Sequence, residues 1–249
     1  MINKLITITT ETEEPMSVKK TPQLNISNIS KSYGRKNILD NISFSVSAGE
    51  CVGIVGMNGS GKTTLFNIIC GELSSFLGDV TILSDKEQSL QKNKKLLKTA
   101  IGYIPQENPL IEDLSAYDNL RLWYCDSPLN LKEELSTGVL KTLGIDEFLK
   151  VKVKHLSGGM KKRLSIGIAL AAKPAFLVLD EPSAALDLVA KDIIRNYLKE
   201  FKKNTGGILI ATHDEDELSL CDRLLVLKNN TLSEISPDIR GSKLIKNIV

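Results

Sequence analysis

The residues best suited to chemistry lie in Gly56-Met-Asn58-Gly59-Ser60-Gly61-Lys62-Thr63, which is followed by Thr64. The spacing G-x-x-x-x-G-K-[ST], placed after an apolar run ending at Val55, is that of a phosphate-binding loop. Glycines let backbone N–H groups turn inward and approach phosphate oxygens closely. A helix opening near Gly61 would point its positive end at the same anion, a term of about 0.3–1 kcal/mol. Lys62 would add a full charge near the β- and γ-phosphates, and Thr63 would offer a hydroxyl to Mg²⁺. A glycine-rich turn that binds nothing would leave the adjoining Lys-Thr pair without a reason.

Phe176-Leu-Val-Leu-Asp180-Glu181 carries the second signal. Four apolar residues read as a buried strand, and its end delivers two carboxyl groups. Asp180 could hold Mg²⁺ as the acid partner of Thr63, and Glu181 could orient or deprotonate an attacking water. Standing alone, such a pair is an ordinary acid cluster at a helix start; beside a phosphate loop the catalytic reading is favoured. The third signal is Leu156-Ser157-Gly158-Gly159-Met160, a second helix start able to face an anion, with a serine hydroxyl added. Alone it would be a serine cap before a flexible glycine pair. The Lys161–Arg163 run behind it reads as a solvated helix face.

These groups need a scaffold. A chain of 249 residues can bury roughly 73% of its extended surface, so a sizeable core needs no disulfide or metal staple. A net charge of +2 lacks the basic excess of a general nucleic-acid binder, and no nucleic-acid partner is expected. No apolar run reaches the ~18 residues of a membrane-spanning helix. The opening residues do not read as a secretion signal, and four scattered cysteines without a CxxC pair point to a reducing cytosol.

Leu24–Ile29 and Ile42–Val46 alternate with period two, as half-exposed antiparallel strands do. Cys51–Val55, Phe176–Leu179, Ile208–Ala211 and Leu224–Leu227 are continuous apolar runs that suit buried parallel strands. Leu188–Phe201 reads as a helix, Asp113–Lys154 is mainly helical in pattern, and the polar stretch Ser84–Lys98 reads as a surface loop or helix. The fold class is therefore α/β, with a mostly parallel sheet and a smaller antiparallel sheet near the start.

Taken together, residues 24–235 resemble the ATP-binding subunit of ATP-binding-cassette (ABC) transporters. The phosphate loop Gly56–Thr64, the signature Leu156–Met160 and the pair Asp180-Glu181 occur in the family's order. So do Tyr33, Gln106 in Tyr103-Ile-Pro-Gln106, Ala184-Ala-Leu-Asp187 and His213. The resemblance implies a P-loop NTPase core over 23–235, an N-terminal antiparallel β-subdomain, and a helical subdomain inserted at about 107–160 between the Gln106 loop and the signature. A flexible leader is expected over 1–22 and a short tail over 236–249. It implies that Tyr33 stacks on adenine, that Gln106 contacts Mg²⁺ and senses a membrane partner, that Glu181 is the catalytic carboxylate, and that His213 reaches the γ-phosphate. Two cassettes would meet head to tail, with each ATP between Gly56–Thr64 of one and Ser157–Gly159 of the other. Met160 and Ala185 depart from the commoner Gln and Gly, and Met160 resembles the drug-, antibiotic- and lipid-exporter subgroup.

The expected function is ATP-driven transport, in the direction of export, through a separate integral membrane permease. A second ATP-binding subunit completes the dimer, and the chain sits on the cytoplasmic, inner face of the cell membrane. The alternative is a soluble ABC ATPase in a role such as iron–sulfur cluster assembly. A P-loop kinase leaves Leu156–Gly159 and His213 unexplained.

Overall fold

The short apolar runs of the sequence become the central sheet. The computed structural model describes residues 21–184 and 186–249, so most of the expected leader, residues 1–20, and Ala185 lie outside the described residues. In chain order the elements are β1 (Gln23–Tyr33), β2 (Lys36–Ser47), β3 (Cys51–Val55), α1 (Lys62–Ile69), β4 (Leu77–Leu83), β5 (Glu87–Ser89), α2 (Lys94–Ala100) and β6 (Ile101–Ile104). Then follow α3 (Ala116–Tyr124), α4 (Leu131–Ser136), α5 (Val139–Thr142), α6 (Gly158–Ala169), β7 (Phe176–Asp180), α7 (Leu188–Lys203) and β8 (Gly207–Ala211). The chain ends with α8 (Glu215–Leu218), β9 (Arg223–Lys228), β10 (Thr231–Ile235) and α9 (Gly241–Ile248). Two 3-10 turns, Ile145–Phe148 and Val153–His155, lie between α5 and α6.

The larger sheet has the order β10-β9-β3-β8-β7-β6. Its strands run parallel except β10, which pairs antiparallel with β9 at one edge. Every residue of β3, β7 and β8 is buried, as parallel strands covered on both faces must be. Alternation divides their side chains between two cores. Leu177, Leu179, Ile208 and Ile210 join the core under α3, α6 and α7. Val52, Ile54, Val178 and Leu209 join the core formed with α1 and the small sheet. β10 was absent from the sequence reading because Thr231–Ile235 is a polar edge strand with no fully buried residue.

The small sheet has the order β2-β1-β4-β5, all antiparallel. β1 and β2 carry the two alternating segments expected as antiparallel strands, and they pair with each other. β4 escaped the periodicity because its first residues are exposed. Gly78 there takes a φ of +98°, and a Cβ on it would lie 2.4 Å from the Ser27 carbonyl oxygen, so the close approach to β1 requires glycine. The Ser84–Lys98 stretch holds β5 and the start of α2. The segment between β6 and β7 is helical, with Leu120, Leu140, Phe148 and Leu164 buried together. Among the described residues no helix is long and apolar enough to cross a membrane.

This topology gathers three loops. β3 lies between β8 and β9, and β7 lies beside β8. The segments leaving the C-terminal ends of β3, β7 and β8 therefore emerge side by side, where ligands bind in open parallel sheets.

Candidate functional site

Residues 56–61 turn from β3 into α1. Gly56 is there for space: a Cβ would lie 2.5 Å from the Leu227 carbonyl oxygen and 2.7 Å from Ser60 Oγ. Gly59 and Gly61 have φ values of +76° and +110°. Lys62 is only 6% exposed, and its Nζ donates to the Gly56 carbonyl at 2.8 Å and the Met57 carbonyl at 3.3 Å. Burial pulls the Lys62 ammonium below its usual pKa, with the charges of Glu181 and Asp180 opposing. Ser60 Oγ is buried and has no hydrogen-bond partner among the described residues, a hydroxyl suited to an anionic oxygen. A buried ammonium, an unpartnered hydroxyl and a loop of glycines fit a polyphosphate. Asn58 stands exposed at the loop tip and Thr64 half-buried in the first turn of α1.

Asp180 ends β7 and is 1% exposed. It accepts a 2.7 Å hydrogen bond from Thr63 Oγ1. Burial raises the Asp180 pKa, with the Thr63 bond opposing and Glu181 reinforcing the rise. The hydroxyl and carboxylate are hard oxygen donors on facing elements, a set that fits Mg²⁺.

Glu181, the next residue, has a φ of +47°, unusual for a residue with a side chain. Its N–H donates to the Ala211 carbonyl at 2.8 Å, which anchors the strained residue to the end of β8. His213, two residues beyond Ala211, places Nε2 3.8 Å from Glu181 Oε1. Burial and then the Lys62 charge lower the His213 pKa from 6.5, while Glu181 opposes, so the imidazole is neutral at pH 7. Glu181, Ser183, Thr212, His213 and Asp214 line one cavity of about 260 Å³.

Thus Lys62, Thr63, Asp180, Glu181 and His213 converge. Among the described residues no hydrogen bond ties Ser157, Asp187, Tyr33 or Gln106 to them. Ser157 caps α6, its Oγ accepting from the Met160 N–H at 3.2 Å, and Gly158 beside it is exposed. Gly159 is packed so tightly on α7 that a Cβ would lie 2.7 Å from Ala190 Cβ. Asp187 caps α7 through a 2.8 Å bond from the Ala190 N–H. Tyr33 is 52% exposed at the end of β1, with Lys31 Nζ 4.9 Å from its ring centre. The Gln106 side chain is exposed and forms no hydrogen bond with a described residue.

One expectation is corrected. The Lys161–Arg163 run is not a solvated face: Lys162 is 3% exposed. Its Nζ donates to the Pro105 and Gln106 carbonyls at 2.9 and 3.0 Å, tying α6 to the loop that bears Gln106. Burial lowers its pKa to about 8. Arg163 donates to the Leu143 carbonyl at 3.0 Å, and only Lys161 pairs with an exposed partner, Glu112. The tertiary position of α6, between sheet and helices, overrides the local charge pattern. Sequence reasoning also missed Glu217, a buried acid in a run of acids that reads as a solvated helix start.

The family model described as ABC transporter matches residues 39–184, more than half of the chain. The chain is 34% identical over 218 residues to the linearmycin resistance ATP-binding protein LnrL of Bacillus subtilis (strain 168), spanning 85% of this chain and 68% of that protein. It is 34% identical over 213 residues to the Nod factor export ATP-binding protein I of Rhizobium meliloti (strain 1021), spanning 84% of this chain and 63% of that protein. The chain thus spans about two thirds of the length of these relatives. A solved ATP-binding subunit of an ABC transporter superposes with a TM-score of 0.78 at 26% identity, covering 90% of this chain and 97% of that one. The dimeric bacterial ABC transporter cassette MJ0796 superposes with a TM-score of 0.75 at 28% identity, covering 88% and 99%. On fold, motif order and matched span alike, the chain belongs to the ABC transporter family and is built as one of its ATP-binding cassettes.

Proposed function

We propose that this chain is the ATP-binding and hydrolysing subunit of an exporter. It would work on the cytoplasmic face of the membrane, with a separate membrane-spanning permease and a second cassette. The observation that carries the reading is the convergence of Lys62, Thr63 and Asp180 with Glu181 and His213 at the ends of three adjacent strands. The resistance and export roles named for the relatives favour transport over a soluble role.

Each residue has a task that follows from its surroundings. Lys62 and the loop N–H groups grip the β- and γ-phosphates of ATP. Glu181, held by its backbone bond to β8, orients the attacking water and accepts its proton. Neutral His213 donates a hydrogen bond to the γ-phosphate rather than a charge. Tyr33 offers an exposed ring face to adenine. Thr63, Asp180 and Gln106 would hold Mg²⁺, which supplies charge neutralisation at the phosphate oxygens when bound.

Ser157, Gly158 and Gly159 stand on α6 and form no hydrogen bond to the phosphate loop among the described residues. They complete the site of a second molecule. The solved relative MJ0796 is a dimer and is known with ADP and Pi bound after hydrolysis, which supports both the pairing and the turnover. ATP bound between two cassettes favours the closed pair, and hydrolysis removes that preference.

The test is mild detergent extraction followed by capture of this chain. Recovery of an integral membrane protein, with ATP turnover that Lys62→Ala abolishes, supports the reading. Recovery in soluble complexes alone would count against it.

A further inference from the structure

Glu217 belongs to none of the tasks above, yet it is one of the few charged residues that the fold buries, at 3% exposure. It sits on α8, directly after the His213 loop. One carboxyl oxygen accepts a hydrogen bond from Thr212 Oγ1. That same hydroxyl accepts from the Asp214 N–H at 3.0 Å. The two contacts brace the residues on either side of His213. The remaining oxygen, Oε1, is buried without a hydrogen-bond partner among the described residues.

We propose that Glu217 is a positioning residue that sets the His213 loop, and with it the place of His213 relative to Glu181. This inference rests on the catalytic reading of those two residues. The physical argument is one of reach. His213 and Glu181 face each other at 3.8 Å, but their side chains share no short hydrogen bond. Their separation is set from behind. The Glu181 N–H is tied to the Ala211 carbonyl, and Thr212, the residue after Ala211, is tied to Glu217. Without the Glu217 carboxyl, the Thr212 hydroxyl loses its buried acceptor and the loop is free to turn.

Several charges bear on this carboxyl. Asp214 repels it from its own helix, and Lys191 on α7 attracts it. Lys162 on α6 feels its charge in turn. Burial is the largest influence and pushes the Glu217 carboxyl up to about 7. The neutral acid is therefore well populated near neutral pH, which removes the charge from the buried carboxyl. Glutamine reproduces that form closely, with an acceptor for Thr212 and a donor in place of the O–H.

The experiment compares Glu217→Gln and Glu217→Ala with the unaltered chain. Steady-state ATP turnover should fall about tenfold in Glu217→Ala, with KM for ATP within about twofold, because position and not grip is lost. Glu217→Gln should restore kcat to within about twofold. A nucleotide-free readout accompanies it. The chain has two histidines, so their ring proton resonances are assignable with one His155 variant. In Glu217→Ala the His213 resonance should move while that of His155 stays. Turnover unchanged in Glu217→Ala, or an unmoved His213 resonance in a folded variant, overturns the proposal. If the unaltered chain hydrolyses no ATP, the function proposed above fails, and the His213 resonance alone decides the role of Glu217. If the alanine variant does not fold, a Gln variant with both the His213 resonance and kcat displaced also overturns it.

Discussion

Thr63 donates a 2.7 Å hydrogen bond to Asp180, joining residues 117 positions apart in the chain. The bond closes β7 onto the first turn of α1 and puts two hard oxygens beside Lys62. Asp180→Asn should keep an acceptor for Thr63 while removing the charge that suits a divalent cation. Turnover of ATP should fall by about 10²–10³-fold, the usual scale for one electrostatic element of a reacting site. Steady-state hydrolysis across a magnesium titration measures it. Unaltered turnover in the variant would remove Asp180 from the metal-binding set.

Glu181→Gln separates binding from chemistry. The amide fills the same space but cannot take a proton from water, so hydrolysis should slow by about 10²–10⁴-fold. ATP affinity should be retained, since Lys62 and the loop are untouched. The ATP-loaded variant should accumulate as a dimer, because the closed pair persists while the γ-phosphate stays. Light scattering after gel filtration with Mg-ATP tests this. A population that remains wholly monomeric, with nucleotide bound, would argue against two cassettes sharing one ATP.

The sequence made this site legible where chemistry is confined to short motifs. Gly56–Thr63 and Phe176–Glu181 each combine an apolar strand with the functional group at its end, so pattern and function coincide. Four of the parallel strands, β3, β7, β8 and β9, were legible for the same reason, being short, continuous and bounded by polar loops, whereas β6, with Gly102 and Tyr103 in its four residues, was not. What stayed hidden depends on tertiary burial. Lys162 lies in a charged run that reads as solvent-facing and Glu217 in a run of acids, and only the tertiary structure buries them. β10 and the start of β4 expose their side chains and lack the alternation that marks a half-buried strand. The positive φ at Glu181 is likewise invisible in the sequence, since nothing in the residue type calls for it.

Tyr33→Ala should weaken ATP binding without changing the rate of the bound complex. Tyr33 is largely exposed, and Lys31 beside its ring leaves a face available for a base. Loss of one base–aromatic stack is worth about 1–3 kcal/mol, or roughly 5- to 150-fold in Kd. Equilibrium titration with a fluorescent ATP analogue reads the change, and Tyr33→Phe should restore most of the affinity. Equal affinities in the alanine variant and the unaltered chain would take Tyr33 out of the adenine site.

The buried Glu217 also predicts how stability varies with pH. Its folded pKa, about 7, lies above the usual 4.5. The unfolded chain therefore releases this proton more readily than the folded one. The contribution of the neutral buried acid is fully present below about pH 4.5 and is lost as pH rises through about 7. Glu217→Gln carries no such proton. The unaltered chain should lose stability relative to this variant across that window, by on the order of 3 kcal/mol in total. Urea unfolding of both chains at a series of pH values measures the difference, and groups common to the two cancel. A difference that stays flat from pH 5 to 8 would mean that water reaches the carboxyl and that Glu217 is ionised throughout.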